Sequence, residues 1–462
     1  MRVPAITTVT LLAALVATSG CLSTRSERVK ETRRGLDAEI VRDRPALDEQ
    51  RIEDFGFAVY WDSYIRDEVI TGLFLEGRVY ENGAGKPFLY ATTLSNRLYQ
   101  IDMNHGTVKW VYDIGRPMFF TENPRPIAEW VYPADKNTGF KQYDEIYFVA
   151  RDYLYALDKA SGSELWKVRL PFAASSPPEA GPTHVYVGSW DDRLYAYRKD
   201  EPLIPDWSWR TDGDILARPA CRPPIVYAAS TDGFLYPFDM VRGVPKAPFD
   251  TEQRLETDPL IHRSLLYLGA GDFNMYCLSA IDGALEHRQS AQAPVIVAPV
   301  ASANSEKADD YTVYFTARGE GVMALRRQDQ KEGQRRVPHA LVWQRKGAER
   351  FLARGRSDAY LLEPDPENQN TRIARVDAKD GHFRDAIEIP GVDYYVTNPS
   401  SPNVLEREEQ LVGGMIVLGF ENGWIIALKE LATMPSGTYE TVAQRRAAAR
   451  AAGLRDEGAN EK

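Results

Sequence analysis

Cysteine is scarce in this chain: 3 among 462 residues. Cys21 follows an apolar leader, so only Cys221 and Cys277 remain for the folded part. Two cysteines cannot staple a chain of this length, so a disulfide-built fold is excluded. The six histidines are His105, His184, His262, His287, His339 and His382, and none pair at zinc-ligand spacing. With no C-x-x-C and no H-E-x-x-H, a zinc centre has no ligand set, so no metal is expected. There is no G-x-S-x-G elbow and no phosphate-binding P-loop either. The acidic turns Asp191-Asp192 and Asp212-Gly213-Asp214 lack the ligand order of a calcium loop and read as turn chemistry. Positive charge is short as well. A net charge of −10 argues against nucleic acid, whose phosphates need a basic surface. No convincing catalytic constellation remains.

What the chain does contain is a repeat. Arg151–Pro171 (RDYLYALDKASGSELWKVRLP) sets the pattern. Tyr153–Asp158 suits a strand, Lys159–Gly162 a tight turn, and Ser163–Val168 a returning strand with a Trp on it. Glu145–Ala150 is a further strand just before. One such unit cannot bury both of its faces, which predicts copies. They recur with anchor residues Tyr90, Tyr147, Tyr186, Tyr227, Tyr267, Tyr314, Tyr360 and Val417. The middle anchors, Tyr147 to Tyr267, lie 39, 41 and 40 residues apart. Pro177, Pro219, Pro259 and Pro299 keep the same period. Proline lacks an N–H, which places them at the start of the innermost strand of each unit. Eight copies of a four-strand-sized unit predict an all-β fold: an eight-bladed β-propeller of four-stranded antiparallel blades. The stretched copies leave seven closed blades as the other count.

At YALDKASGSELW the pattern resembles the pyrroloquinoline-quinone-type propeller repeat, A-x-D-x-x-T-G-x-x-x-W. The match is close at Ala156, Asp158, Gly162 and Trp166, and good at Asp102, Gly106 and Trp110. The resemblance implies that each Trp packs against the neighbouring blade and that the Gly makes the turn. Trp110, Trp166, Trp209 and Trp343 are the expected blade-docking residues. His287 and Asp385 stand where a Trp would follow Gly283 and Gly381, and Ala247 where one would follow Gly243. Within the superfamily, the general match is to the propeller lipoproteins of the outer-membrane barrel-assembly machinery, which are lipid-anchored and cofactor-free. Quinone-dependent dehydrogenases share the repeat. Their catalytic members carry adjacent cysteines and calcium ligands, which Cys221 and Cys277 do not reproduce. These two are expected as buried thiols, or as a disulfide if adjacent blades bring them close.

The organisation is expected as a signal peptide (1–20), a flexible tether (21–50), the propeller (51–432) and a helical or frayed tail (433–462). Arg2 and the apolar run Ala5–Ala17 form a targeting segment. The small residues ending in Cys21 resemble a bacterial lipoprotein signal with Cys21 as lipid anchor; plain secretion is the alternative. Leu22 is not the Asp that retains lipoproteins at the inner membrane in the family's sorting rule. An outer-membrane, periplasm-facing destination follows. Phe55–Trp61 is expected to pair with the last blade and close the ring. Leu73–Tyr80 is expected in the outer part of the first blade. Arg116–Gln142, with Phe119, Phe120 and Trp130, is a long insertion read as an edge cover or a binding surface. Gln328–Pro338 and Asp365–Thr371 read as loops. Tyr439–Ala452 favours helix.

The expected function is a non-catalytic, lipid-anchored scaffold without cofactor. Its expected partners are envelope proteins such as a β-barrel assembly complex. Trp190, Phe273 and Phe420 stand on polar turns and are contact candidates, or tuck against the next blade. Arg193 beside Trp190 is a candidate for steering an acidic partner. A quinone- or other ligand-binding propeller is the alternative, and a carbohydrate- or peptide-binding surface protein is a third reading.

Overall fold

A computed structural model describes residues 44–76, 88–115, 128–129, 143–150, 152–305, 309–328, 337–398 and 413–434. The targeting segment, Cys21, most of the tether, most of Gln328–Pro338 and the Tyr439–Ala452 stretch lie outside these residues, as does the Arg116–Gln142 insertion apart from Ala128–Glu129, which forms the inner strand of blade 2. Among the described residues the strands form eight four-stranded antiparallel sheets. Blades 1 to 7 follow in sequence over residues 70–113, 128–169, 179–210, 220–250, 260–290, 295–345 and 350–388. Blade 8 takes three strands from residues 394–430 and its outer strand, Phe57–Tyr64, from the other end of the propeller. That strand pairs antiparallel with Trp424–Glu430, so the ring closes as expected. No helix among the described residues is long and apolar enough to cross a membrane.

The eight anchors occupy one equivalent position. Each lies on the second strand of its blade and is opposed by the first strand: Tyr90 by Phe74, Tyr186 by Glu179, Tyr227 by Ala220, Val417 by Val396. All eight are 0–1% exposed. Side chains alternate along a strand, so a one-residue slip would turn this row over. Between blades the row fills the gap with aromatic and aliphatic bulk. Each fully buried large side chain is worth about 1.5–3 kcal/mol. The tight turn after the third strand is just as regular. Gly162 adopts φ +70° there, and its N–H donates to the Asp158 carbonyl at 2.8 Å.

One expectation changes. The segment beginning at Ile70 is the inner strand of blade 1: Ile70–Glu76 pairs only with the second strand and touches the first strand of blade 8. Val108–Asp113 is the outer strand instead. Its mostly exposed residues and the apolar burial of Ile70–Glu76 give the reason. Three of the four period-40 prolines stand just before inner strands, Pro177 two residues ahead of Glu179–Ala180, while Pro299 lies inside one. Pro219 and Pro259 directly precede Ala220–Arg222 and Leu260–His262, and Pro299 sits where the register of Val295–Ala303 shifts.

Candidate functional site

Register fixes where a docking side chain stands. It lies on the outer strand, opposite the third-strand residue that itself faces the anchor. Trp110 is opposite Gln100, Trp166 opposite Ala156, and Trp343 opposite Ala324. In blade 3 the position belongs to Trp207, opposite Ala196, and not to Trp209, opposite Leu194. Trp209 is two residues displaced, partly exposed, and packs near Phe238. In blade 8 the position is Trp61, opposite Ala427, which the repeat pattern did not reveal because it lies at the far end of the chain.

Four of these indoles make the same contact. Trp61, Trp110, Trp207 and Trp343 donate their Nε1–H to the carbonyls of Met103, Lys159, Met240 and Ala378 in the next blade, at 2.8, 3.0, 3.2 and 3.0 Å. Three residues on, Gly106, Gly162, Gly243 and Gly381 lie under the ring, where a Cβ would fall 2.4–2.7 Å from it. Trp166 lacks this partner, and its Nε1 is buried without an acceptor. The facing turn of blade 3, Lys199–Asp206, has no glycine. Its Lys199 ammonium is buried between the rings of Tyr143 and Tyr147, at 5.1 and 4.9 Å. Burial pushes that amine down to about 7. Asp385 holds the docking position in blade 7, paired with Arg375 at 2.5 Å. His287 holds it in blade 5, opposite Cys277. These positions build the ring and leave the faces free for binding.

One face is formed by the turns between second and third strands and by the connections between blades. Trp190 is 51% exposed on this face of blade 3, and its N–H donates to Ala173 at 3.1 Å. That bond sets it beside Phe172, which is 55% exposed. Phe172 was not foreseen, because it lies in a connection outside the repeat. Phe273 is 49% exposed on the equivalent turn of blade 5 with φ +70°. Phe420 is different: it is 3% exposed. It occupies the first turn position, equivalent to Ser230 and Ala270, where the side chain turns inward. Arg193 stands 3.6 Å from Asp191, which offsets its charge.

The same face is acidic. Tyr195, Tyr236 and Tyr276 donate their hydroxyls to Asp191, Asp232 and Asp272, one carboxylate on each turn of blades 3, 4 and 5. The phenols are raised by burial and by those carboxylates, Tyr195 and Tyr276 to about 12. They hold the carboxylates in place, Asp191 lying against Arg193 as well. Nearer the axis, Arg218 of the blade 3–4 connection reaches Glu76 of blade 1 at 2.8 Å and Glu179 of blade 3 at 2.9 Å. Its backbone N–H donates to Asp258 at 2.8 Å. Burial raises the Asp258 carboxyl. Arg218 thus ties three carboxylates from other parts of the ring, two through its guanidinium and one through its backbone N–H.

Cys221 and Cys277 are buried thiols not joined in a disulfide. Burial raises the Cys277 thiol to about 12, which leaves it unreactive. Among the described residues no three His, Cys, Asp or Glu side chains are placed to hold a metal ion.

The family model described as "Outer membrane protein assembly factor BamB" matches residues 129–217, from blade 2 through blade 3 into the next connection. No curated protein matches the chain. Among solved structures, BamB from Moraxella catarrhalis is 13% identical, with 83% of this chain and 99% of that one covered and a TM-score of 0.53. The C-terminal WD40 domain of Sif2 is 8% identical, with 82% and 99% covered and a TM-score of 0.54. A quinohemoprotein alcohol dehydrogenase, ADHIIG from Pseudomonas putida HK5, is 10% identical, with 83% and 78% covered and a TM-score of 0.50. At these identities the structural likeness speaks to fold alone. The chain is an eight-bladed propeller of pyrroloquinoline-quinone-like repeats that resembles BamB.

Proposed function

We propose that this chain is a non-catalytic scaffold that binds envelope proteins and serves outer-membrane protein assembly. Acylation at Cys21 anchors it to the outer membrane, facing the periplasm, and residues 21–50 act as its tether. The propeller spans 51–432 and carries 433–462 as a tail. The observation behind the reading is the acidic face bearing Phe172, Trp190 and Phe273 half-exposed on blades 3 and 5. Large aromatics in a charged rim are the usual anchors of protein interfaces. The match of residues 129–217 to a BamB family model covers the part of the chain that holds Phe172 and Trp190. Blade-to-blade packing fixes the face rigidly, so binding requires little ordering of the scaffold.

The alternative is a ligand held on the axis, as the fold of the quinohemoprotein would allow. Arg218 spans that axis to Glu76, and a planar ligand would have to part this buried ion pair. Crosslinking in native membranes followed by purification tests the scaffold reading, with Cys21→Ala as the unanchored control. Recovery of a β-barrel assembly complex, weakened in Cys21→Ala and in Trp190→Ala, is expected. A purified propeller that carries a chromophore, or needs calcium, and recovers no protein would overturn it.

A further inference from the structure

The joint between blades 5 and 6 replaces the docking indole with imidazoles. His287 of blade 5 stands 5.2 Å, ring to ring, from His339 of blade 6. His339 Nδ1 lies 3.1 Å from the Val337 carbonyl, to which it can only donate. Its Nε2 is then the acceptor, and the Tyr267 hydroxyl donates to it at 2.8 Å. Tyr267 in turn accepts from the Tyr311 hydroxyl at 2.7 Å. With His339 neutral the relay runs from Tyr311 to the imidazole; a second proton on Nε2 would reverse it, since either tyrosine can donate in the Tyr267–Tyr311 bond. His262 packs edge-on against the Tyr311 ring at 4.4 Å.

Charges near these rings have other work. Arg327 pairs with Asp309 at 2.7 Å, and Glu286 accepts the Val337 N–H at 2.9 Å. Arg263 and Arg327 add positive charge beside His262, and Arg327 also beside His339. Cys277, Tyr267 and Tyr311 are neutral neighbours held so by burial. No ion pair to a carboxylate forms at His262, His287 or His339 among the described residues, and Asp309, the carboxylate that acts on His262, is already paired with Arg327.

We propose that this joint is an acid-opened seam, at which proton uptake by His339 and His287 sets two cationic rings 5.2 Å apart across the joint and parts blades 5 and 6 while the other blades stay folded. Burial lowers His262 and His339 to about 4, and His287 below its ordinary value. Opening returns each ring toward about 6.5. Opening therefore takes up protons as pH falls from about 6.5 toward 4, and shifts about tenfold per pH unit for each ring that titrates. Local opening of this kind is read by amide exchange.

The experiment is amide hydrogen exchange on the full chain between about pH 7 and pH 4.5, corrected for the intrinsic rate. Residues 265–290, 311–327 and 339–345 should gain at least about tenfold in exchange per pH unit below about pH 6, with residues 88–113 unchanged. The double variant His287→Gln, His339→Gln should lose that slope. Should the double variant not fold, His287→Gln alone, at the less buried ring, should reduce it. A flat profile, one slope shared by all blades, or a slope indifferent to these substitutions overturns the proposal.

Discussion

Residue 273 is a phenylalanine on a turn position that Asn96, Asp192 and Gly423 fill elsewhere, all with positive φ. An aromatic residue pays roughly 1–2 kcal/mol for that conformation. Strain of this order persists where something else is selected, and an exposed ring on an acidic face names what. Phe273→Gly is therefore expected to raise stability by about 1 kcal/mol in urea denaturation while weakening recovery of the partner. Lys199 makes the second case. Its amine titrates near 7 in the fold and near 10.4 when unfolded. Between those values the unfolded chain holds the extra proton, so stability rises with pH from about 7 to about 10. Lys199→Met should remove that rise and add on the order of 4 kcal/mol at neutral pH, read by denaturant midpoints across pH. The sequence exposed Phe273 as an aromatic on a turn. It concealed Lys199, because a lysine next to a turn reads as solvated until neighbouring blades close over it.

Outer strands carry the docking devices, and they were the least legible elements. The second and third strands were read directly, since both bury an apolar row at fixed spacing. Outer strands such as Glu164–Arg169 alternate exposed and half-buried residues and leave only one side chain as signal. Where the preceding turn lengthens, as in Lys199–Asp206, counting from it misplaces that signal, and Trp209 was expected where Trp207 docks. The first inner strand was misplaced for a related reason: its neighbour on the axis belongs to the last blade. Gly162→Ala tests the device. A Cβ there would meet the Trp110 ring at 2.4 Å, on a backbone that disfavours any side chain. A loss of roughly 2–4 kcal/mol is expected, and Trp110→Ala should cost about 3–5 kcal/mol. The two together should cost less than their sum, since they remove one contact, and a double-mutant cycle measures this.

At the scale of the ring, the eight-fold count and the closure through Phe57–Tyr64 were legible, because each follows from repeat number and the need to cover an edge. The ion-pair centre was not. Arg218, Glu76, Glu179 and Asp258 come from four separate parts of the chain, and no spacing relates them. Removing the guanidinium leaves buried carboxylates facing one another. Arg218→Met is expected to destabilise the propeller by about 3–5 kcal/mol at neutral pH, with part of the loss recovered as pH falls and Asp258, which burial already raises, takes up a proton. Thermal unfolding at several pH values reads both effects.

Blade 8 is made from strands at the two extremes of the propeller, and this sets a clock on its birth. On the ribosome, the outer strand of the last blade emerges first and its partner, Trp424–Glu430, emerges after seven blades have been made. Through that interval Phe57–Tyr64 has a bare edge. Blades 2 to 7 assemble in order from strands that are neighbours in time, whereas the seam waits for translation to reach the final blade. A permuted gene that begins between two other blades would move the waiting strand without altering a single contact in the finished ring.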